Sequence, residues 1–390
     1  MLFDLLYLAA LAVLSPWLVW RACATGRYRR DLLAKLVGPA PVPNPDRRPV
    51  AWFHAVSVGE VNLLGTLVPA FRARHPDWLV VVSSTTDTGL AEAGRRGVPV
   101  VVANARMSPR SARRLRRFAG LVRRLLLGRV SRFAVQEPEY ASRLRRLGVP
   151  AAKLVVTGSI KYDGALKDRD TAATRALTRL LGLTAESPAP LVLLAGSTHA
   201  PEEELVLAAF ARLRERFPRA RLVLVPRHPD RFEEVARLVE ASGLPFVRRS
   251  RVREPLTAMP AVVLLDSVGE LGAAWGLADV GYVGGTLDGR RGGQSMIEPA
   301  GYGVPCVFGP HVWNFADAAR RLVEVGAATM VPDAAGLGSA LAALFADDAL
   351  RNQMGAAARE QVRRQQGATA RTLDAIDVVI PAPPAVRRAA

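Results

Sequence analysis

The chain of 390 residues contains only two cysteines, Cys23 and Cys306, which excludes a disulfide framework and suits a reducing cytoplasm. Aromatic residues make up 6% of the chain. Few of them stand between the arginines, so a surface that stacks single-stranded nucleic acid is not expected. Zinc-ligand spacings, a Walker loop and a nucleophile elbow are also missing from the sequence. These absences leave a globular protein without a metal motif and without a nucleic acid partner.

Lysine is scarce too, because only Lys35, Lys153, Lys161 and Lys167 contribute to the 53 basic residues. Against 35 acidic residues the net charge is +18, carried almost wholly by arginine. Taken alone, such an excess implies an anionic partner, which could be nucleic acid, an anionic membrane or a phosphorylated substrate, and the scarcity of aromatics argues against the first. A GC-rich genome also raises the arginine content.

The arginines concentrate between Met107 and Arg132, where no acidic residue occurs. A helix is expected over Ser108–Leu127, with an apolar face beside the charges. A basic amphipathic helix is typical of a membrane-surface or phosphate-contacting element, and a solvated face packed on a sheet is the alternative. The residues expected to contact the acceptor or the membrane here are Arg113, Arg114, Arg116 and Arg117.

The run from Leu2 to Trp20 is nearly all apolar and is followed by Arg21, Arg27, Arg29 and Arg30. A signal peptide carries its positive charges before the apolar run, not after it. The length of the run matches the roughly 20 residues that cross a bilayer. Residues 1–22 are therefore predicted to anchor the chain in the membrane, with the remainder in the cytoplasm. A helix lying in the membrane interface, or a buried N-terminal helix, is the alternative.

Beyond this segment, apolar runs alternate with helical patterns in two series, which predicts two doubly wound parallel sheets in Rossmann-like domains. The expected domains span residues 47–165 and 188–365, and residues 366–390 form a tail. The strands expected in the two domains are Val50–His54, Leu79–Ser83, Val98–Val102, Phe133–Val135 and Leu154–Val156, then Leu191–Leu194, Leu222–Val225, Val262–Leu265, Val280–Val283 and Val304–Phe308.

Polar motifs follow several of these strands, where ligands of such sheets bind. Glu60 opens a helix after the first strand, preceded by Ser57 and Gly59. Transfer of a group to an alcohol needs a base for the hydroxyl proton, and Glu60 is the candidate. A first-turn carboxylate that complements the helix dipole is the alternative reading.

The second domain carries three further motifs. Gly196 to His199 is a small polar loop before a helix, which fits phosphate binding or an N-cap. Arg227 and His228 stand between two prolines, and an arginine there suits phosphate or carboxylate. The glycine loop from Gly284 to Gly293 leads to Glu298; its amides are expected to approach an anion and Glu298 to accept sugar hydroxyls. A plain strand-to-helix turn is the alternative for this loop.

Together these motifs resemble the 3-deoxy-D-manno-octulosonic acid (Kdo) transferase family, over about residues 47–328. The shared motifs are Trp52 to Val61, Ser84-Thr85-Thr86 with Thr88-Gly89, Asn104-Ala105-Arg106, Thr157-Gly158 with Lys161, Gly196 to His199, Pro226 to Pro229, Gly269 to Gly272, Ala278-Asp279-Val280, Gly284-Gly285, Arg291-Gly292-Gly293, Glu298-Pro299-Ala300, Gly309-Pro310-His311 and Asn314-Phe315.

The resemblance implies an inverting glycosyltransferase of GT-B type, with two Rossmann-like domains facing a cleft. It implies CMP-Kdo as donor, a lipid A precursor as acceptor, Glu60 as general base, and no metal or other cofactor. The enzyme would work at the cytoplasmic face of the inner membrane. The residues expected to bind the donor are Ser197, His199, Arg227, His228, Gly269, Glu270, Gly284, Gly285, Gly293, Ser295, Glu298 and Asn314.

The chain departs from the family pattern in two places. Gly292-Gly293-Gln294-Ser295-Met296 stands where the family has Gly-Gly-His-Asn-Pro before its Glu-Pro. This leaves another nucleotide sugar, such as a UDP-sugar, as an alternative donor. Between Leu90 and Arg96 the family carries several tens of further residues with an acidic-Leu-Trp-Pro signature. A strand–helix unit is therefore expected to be absent, and an inactive membrane-associated paralogue is the remaining alternative.

Overall fold

The computed structural model describes residues 42–83, 90–165, 168–185 and 189–380. These residues form two compact units, one of residues 42–54 and 75–83, and the other of residues 55–74 with the described residues from 90 onward. The predicted anchor, residues 1–22, and the motif from Ser84 to Gly89 lie outside the described residues. No helix in the described part of the chain is both long and apolar enough to cross a membrane.

Twelve strands occur in the described residues, and all of their pairings are parallel. In chain order the strands are β1 (Val50–His54), β2 (Leu79–Ser83), β3 (Val101–Ala105), β4 (Arg132–Val135), β5 (Leu154–Val156), β6 (Val192–Thr198), β7 (Arg221–Pro226), β8 (Phe246–Arg248), β9 (Val262–Leu264), β10 (Val280–Val283), β11 (Cys306–Phe308) and β12 (Ala328–Met330).

Helices separate most of the strands, as the alternating pattern predicts. They are α1 (Val58–Arg74), α2 (Leu90–Arg95), α3 (Pro109–Arg116), α4 (Ala119–Leu125), α5 (Pro138–Arg146), α6 (Ala172–Leu180), α7 (Glu202–Arg216), α8 (Phe232–Ala241), α9 (Leu271–Trp275), α10 (Ile297–Gly301), α11 (Ala316–Glu324), α12 (Ala334–Ala346), α13 (Asp348–Gln365) and α14 (Ala368–Asp377), with short 3-10 turns that include Ile160–Tyr162 and Pro229–Arg231.

The largest sheet has seven strands in the order β12-β11-β10-β6-β7-β9-β8. Every residue of its central strand β6 is buried, and hydrophobic clusters cover both faces. A near-continuous apolar run is what a parallel strand covered on both sides requires. The chain runs from β6 outward to β7 on one side, while β10 lies on the other, so the sheet has its switch point between β6 and β10. A crevice at the carboxyl ends of these two strands follows from that topology.

A smaller sheet, β3-β4-β5, carries the helices α3 to α5. The C-terminal helix α14 packs onto this part of the chain. Arg371 donates to the Thr157 carbonyl oxygen at 2.7 Å, and the Asp163 carboxylate accepts from the Gly367 amide at 2.7 Å. The predicted tail, residues 366–390, therefore begins with an ordered helix whose contacts join the end of the chain to its N-terminal half.

The first compact unit contains a two-stranded parallel sheet, β1-β2. Val50, Trp52 and Val82 are about half exposed, at 49%, 51% and 53%. The Ser83 hydroxyl lies 2.7 Å from the Trp52 indole nitrogen and 2.9 Å from Nδ1 of His54. Parallel sheets are usually covered on both faces, so this pair is an unusually open one.

Some predicted elements differ from the structure. The single helix expected over Ser108–Leu127 is wrong, because the chain breaks at Arg117 and Phe118 into α3 and α4. The third strand begins at Val101 rather than Val98. The boundary segment between the predicted domains contains the helix α6, which buries Leu177. The predicted domain limits at residues 165 and 188 stay predictions.

Candidate functional site

The predicted donor motifs meet at the switch point of the seven-stranded sheet. Strand β6 ends in Ser197 and Thr198, and β10 ends at Val283 beside it, before the glycine loop. The two backbones touch here, because a Cβ on Gly284 would lie 2.5 Å from the Ser197 carbonyl oxygen. Only glycine fits that approach. The structure therefore brings the Gly196–His199 motif and the Gly284–Gly285 motif into one site.

A buried carboxylate that the sequence analysis did not single out organises this junction. Glu202 begins α7 and is fully buried. It accepts hydrogen bonds from the amides of Gly285 at 2.6 Å, Thr286 at 2.8 Å and Leu287 at 3.1 Å. Its other partners are the His199 amide at 3.1 Å and the Tyr282 hydroxyl at 2.8 Å. Glu202 thus fixes the β6 loop and the β10 loop against each other.

This arrangement corrects one expectation about the glycine loop. Its amides were expected to approach an anion of a ligand, yet those of Gly285, Thr286 and Leu287 are bonded to Glu202. The amides of Gly293 and Gln294 are also taken, by the carbonyl oxygens of Gly285 and Gly284. The anion that this loop holds is therefore the protein's own carboxylate. These five amides are therefore not available to an anion of a ligand.

Two side chains that can carry positive charge lie next to this junction. Arg227 follows β7 and its amide donates to the Thr198 carbonyl oxygen at 3.0 Å, which places it beside the β6 loop. Its side chain is exposed and has no hydrogen-bond or ionic partner among the described residues. His228 is also exposed, and its ring centroid lies 5.2 Å from that of His199. Arginine in this position can bind a phosphate in two parallel hydrogen bonds.

His199 is buried at this site, with 2% of its surface exposed. Its Nε2 lies 3.4 Å from the side-chain nitrogen of Gln294, so the departure from the family pattern sits directly against it. Burial and repulsion from Arg291 lower the pKa of His199 to about 4. The ring is therefore neutral at physiological pH and acts as a hydrogen-bonding group rather than as a cation.

The other predicted donor residues are more spread out. Glu270, at the start of α9, forms an ion pair with Arg249 at 2.8 Å and accepts a hydrogen bond from Ser267. Gly269 adopts a positive φ of 92°, with open space where a side chain would stand. Glu298 and Ser295 are partly buried at and before the first turn of α10. Nothing in the structure identifies a ligand at these residues, so their donor-binding roles stay predictions.

Asn314 is held against the glycine loop. Its side-chain nitrogen donates to the Arg291 carbonyl oxygen at 2.8 Å, and its amide donates to the Gly292 carbonyl oxygen at 2.9 Å. Arg106 reaches the same segment from the N-terminal half, donating to the carbonyl oxygens of Trp313 at 2.6 Å and Asn314 at 3.1 Å. Arg106 therefore joins the N-terminal half to the segment that packs on the glycine loop.

Glu60 lies at the start of α1 in a reciprocal cap. The Glu60 amide lies 3.3 Å from the Ser57 hydroxyl, while Oε2 of Glu60 accepts from the amides of Val56 at 2.7 Å and Ser57 at 3.2 Å. This is the pattern of a capping box. The side chain is exposed, and its other oxygen, Oε1, has no partner among the described residues. Glu60 is thus oriented by the backbone and retains one oxygen that could accept a proton.

The arginine-rich stretch from Met107 to Arg132, called the basic segment below, lines a cavity together with α5. Arg113 and Arg116 of α3 and Arg143 and Arg146 of α5 line a space of about 410 Å³. Neither α3 nor α4 buries a residue, and the apolar side chains of Phe118 and Leu121 are 62% and 57% exposed. A cavity lined by four arginines, followed in the chain by exposed apolar side chains, suits an anionic amphiphile.

Comparison with known proteins identifies the family. The family described as "3-Deoxy-D-manno-octulosonic-acid transferase (kdotransferase)" matches residues 30–96 and 90–164. A 3-deoxy-D-manno-octulosonic acid transferase of Bordetella pertussis is 32% identical over 414 aligned positions, which cover 92% of each chain. The chain belongs to the Kdo transferase family. The corresponding Haemophilus influenzae protein is 35% identical over 72% of this chain and 64% of its own length.

The same comparisons bear on the segment between Leu90 and Arg96. The family match is split into two pieces that overlap at residues 90–96. The Bordetella alignment covers 414 positions and is thus longer than the chain of 390 residues. Residues present in this Kdo transferase relative are therefore missing from the chain.

Solved structures confirm the glycosyltransferase fold. The structure of Alr3699/HepE from Anabaena in complex with UDP-glucose matches with a TM-score of 0.55 at 14% identity, over 85% of this chain and 99% of that one. A UDP-GlcNAc 2-epimerase from Neisseria meningitidis matches with a TM-score of 0.52 at 13% identity, over 89% and 88% of the two chains. At such identities the likeness shows only the fold, an α/β architecture of GT-B type.

Proposed function

We propose that this Kdo transferase moves Kdo from CMP-Kdo to a lipid A precursor at the cytoplasmic face of the inner membrane. The observation that carries the proposal is the exposed, unpartnered guanidinium of Arg227 beside the junction that Glu202 holds together. A nucleotide-linked sugar needs a fixed cation at its phosphate. The backbone amide of Arg227 is bonded to the β6 loop, which holds the start of this side chain beside the junction.

On the donor side, Arg227 and His228 bind the phosphate, and the backbone shape at Gly284, Gly285 and Gly293 admits the nucleotide. Glu298 accepts hydrogen bonds from the ribose hydroxyls. Ser197, His199, Ser295 and Asn314 complete the polar wall, while Gly269 and Glu270 border it. His199 enters as a neutral ring, because its pKa lies at about 4.

In the transfer step, a hydroxyl oxygen of the acceptor forms a bond to the anomeric carbon of Kdo. The bond from that carbon to the phosphate oxygen breaks, and CMP leaves with the electron pair. The hydroxyl proton passes to Oε1 of Glu60. Because the two backbone amides hold Oε2, the carboxylate is oriented before the acceptor arrives, which is how a general base contributes to rate.

The acceptor is a phosphorylated lipid, and the cavity lined by Arg113, Arg116, Arg143 and Arg146 suits its phosphate groups. Phe118 and Leu121 offer apolar contact at the same surface. Arg114 and Arg117 face the anionic membrane, and residues 1–22 anchor the chain in it. The exposed face of α3 and α4 thereby serves the membrane and the acceptor together.

The test is product formation by the full chain in vesicles that contain a lipid A precursor. With CMP-Kdo the acceptor should gain the mass of one or more Kdo residues. UDP-glucose and UDP-GlcNAc serve as alternative donors, and calorimetry with CMP and UDP reports nucleotide choice without acceptor. Product from a UDP-sugar with none from CMP-Kdo would overturn the proposal in favour of the alternative donor.

A further inference from the structure

Lys161 is a partly buried cation without an ionic partner. It lies in the 3-10 turn Ile160–Tyr162, whose other two side chains are buried with 1% and 5% of their surface exposed. Its ammonium nitrogen lies 4.4 Å from the centroid of the Phe315 ring. In the described part of the chain no hydrogen bond or ion pair is made by this ammonium group. Buried lysines are normally paired, so the isolated charge needs an explanation.

Neither of the two carboxylates that line the cavity next to Lys161 forms an ion pair with it. Lys161 borders a cavity of about 40 Å³ with Arg106, Glu137 and Asp317. Glu137 is paired with Arg321 at 2.5 Å, and Asp317 accepts the hydroxyl of Tyr140. Burial and the Arg106 cation both lower the pKa of Lys161. Two cations therefore share a small polar cavity whose acids are already engaged.

The cavity adjoins both parts of the proposed reaction site. Asn314, which lines it, is bonded to the backbone of Arg291 and Gly292 in the glycine loop. Ile297, which also lines it, begins the helix that carries Glu298. The helix α1, whose first turn contains Glu60, packs against the turn that contains Lys161. An anion in this cavity would lie beside the sugar end of the donor.

The proposed donor offers two anions, the phosphate that links it to the nucleoside and the carboxylate of the sugar acid. Arg227 is placed for the phosphate. We propose that Lys161, supported by Arg106, binds the carboxylate of the transferred sugar acid and so selects it over neutral sugars. The inference rests on the proposed function. A cavity of about 40 Å³ holds only a few waters or one carboxylate group, which suits this small anion.

The selectivity follows from desolvation. A neutral sugar would leave the Lys161 ammonium group buried and unpaired, whereas a sugar acid supplies its counter-ion. Sites that pair a buried polar group with the substrate reject analogues that lack the matching group. Lys161 would thus be a specificity-determining residue of the donor site.

The experiment compares CMP with CMP-Kdo, because both carry the phosphate and only the second carries the carboxylate. Lys161→Met removes the charge at similar length, and Lys161→Arg retains it. By calorimetry, Lys161→Met should weaken CMP-Kdo binding about ten- to a hundred-fold and leave CMP binding unchanged, with Lys161→Arg recovering part of the loss. Retained CMP binding also shows that the variant is folded.

Equal weakening of CMP and CMP-Kdo would assign Lys161 to the phosphate and overturn the proposal. Unchanged binding of both would overturn it too, while the proposed function would stand if the variant still transferred Kdo. If the native chain bound CMP but not CMP-Kdo, the proposed function itself would fail.

A second readout uses the scarcity of lysine. The chain has four lysines, so an amine-acylating reagent followed by mass spectrometry reports each one separately. CMP-Kdo should protect Lys161 from acylation and CMP should not. Lys153 is the internal control, because its ammonium is bonded to the carbonyl oxygens of Gly128 at 3.1 Å and Val130 at 2.7 Å. Equal protection of Lys161 by CMP and CMP-Kdo would contradict the carboxylate assignment.

Discussion

Several arginines of the C-terminal half are held in ion pairs, whereas Arg113, Arg114, Arg116 and Arg117 of the basic segment are not. Arg231 forms ion pairs with Glu203 at 2.6 Å and Glu234 at 2.7 Å. Arg248 pairs in the same way with Glu233 at 2.6 Å and Asp266 at 2.7 Å. Among the described residues, no carboxylate pairs with any of Arg113, Arg114, Arg116 and Arg117. The same residue type is thus neutralised within the fold in one region and left available to an external anion in the other.

The burial of apolar side chains also differs between the C-terminal sheet and the basic segment. In the seven-stranded sheet, β6 and β10 are buried along their whole length. In α3 and α4 no residue is buried, and Phe118 at the junction is 62% exposed. Burial of apolar surface is the main source of stability. The sheet therefore contributes strongly to the free energy of unfolding, whereas the basic segment contributes little. Under the proposed function the two halves would divide the work: the buried C-terminal sheet would hold the donor, and the N-terminal half would present the Glu60 carboxylate and a charged surface.

The largest expected effect tests whether the chemistry resides in the N-terminal half. Glu60→Gln should lower the transfer rate by about 10²–10⁴, because the general base is lost. CMP affinity should be unchanged. The free energy of unfolding should change little, since the amide oxygen of Gln can accept the same bonds from Val56 and Ser57. Rates come from a transfer assay, and affinity comes from calorimetry.

Glu204→Gln is the matched control, because Glu204 is an exposed first-turn carboxylate of α7 in the C-terminal half. It complements a helix dipole without any proposed role in transfer. A rate loss of similar size in both variants, or near-native turnover in Glu60→Gln, would contradict the assignment of the base.

The next effect tests whether the C-terminal junction is rigid because of Glu202. Glu202→Gln places a side-chain NH₂ group, which is a donor, against backbone amides whose hydrogen bonds the carboxylate accepts in the native chain. Loss of each charge-assisted hydrogen bond costs about 1.5–3 kcal/mol, so the free energy of unfolding and the affinity for CMP should both decrease.

Glu203→Gln is the matched control, since Glu203 is equally buried but pairs with Arg231 outside the loop. That variant should lower the melting temperature and leave CMP affinity intact. If both variants lose CMP binding alike, Glu202 has no particular role at the site.

These buried glutamates show where the sequence was insufficient. Three glutamates follow Pro201, and the pattern indicates an exposed first helical turn. Only the third, Glu204, is exposed, because Glu202 is bonded to the loop after β10 and Glu203 is paired with Arg231. No local signal in the sequence reports such long-range burial. A clue was available in the amides of the glycine loop, which need an acceptor wherever they are buried.

Other parts of the fold could be predicted. The bounds of β1, β2, β5 and β10 match the prediction, since each is an apolar run bounded by polar residues. The edge strands β8 and β12 were missed, because three residues carry too little periodicity. The motif order identified the family, which the relatives confirm. Polar partners such as those of Glu60 required the structure, since they depend on backbone geometry at the helix start.

A smaller effect tests the donor phosphate contact at the edge of the rigid sheet. Arg227→Ala should weaken CMP binding by about 1.5–3 kcal/mol, the value of one charge-assisted contact. Acceptor affinity should be unaffected. Arg212→Ala is the control, because Arg212 is also exposed and unpaired within the described residues but lies on α7. Reduced acceptor affinity with intact CMP affinity in Arg227→Ala would reverse the roles of the two halves.

The smallest effect per residue concerns the unpaired arginines themselves. Each arginine near an anionic bilayer contributes about 1 kcal/mol, and salt screens that attraction. Replacing Arg113, Arg114, Arg116 and Arg117 with Gln, singly and then together, should weaken binding to anionic liposomes stepwise and reduce its salt dependence. Binding to neutral liposomes should not change, because it depends on apolar anchoring, which is insensitive to salt.

The charge-matched control replaces four exposed arginines of the C-terminal half with Gln. These are Arg212, Arg237, Arg251 and Arg253. Both fourfold variants lose the same net charge, so only the position of the charges differs. Equal losses in the two would mean that overall charge, not the basic segment, attracts the protein to the membrane, and the contrast between the two regions would then carry no functional meaning.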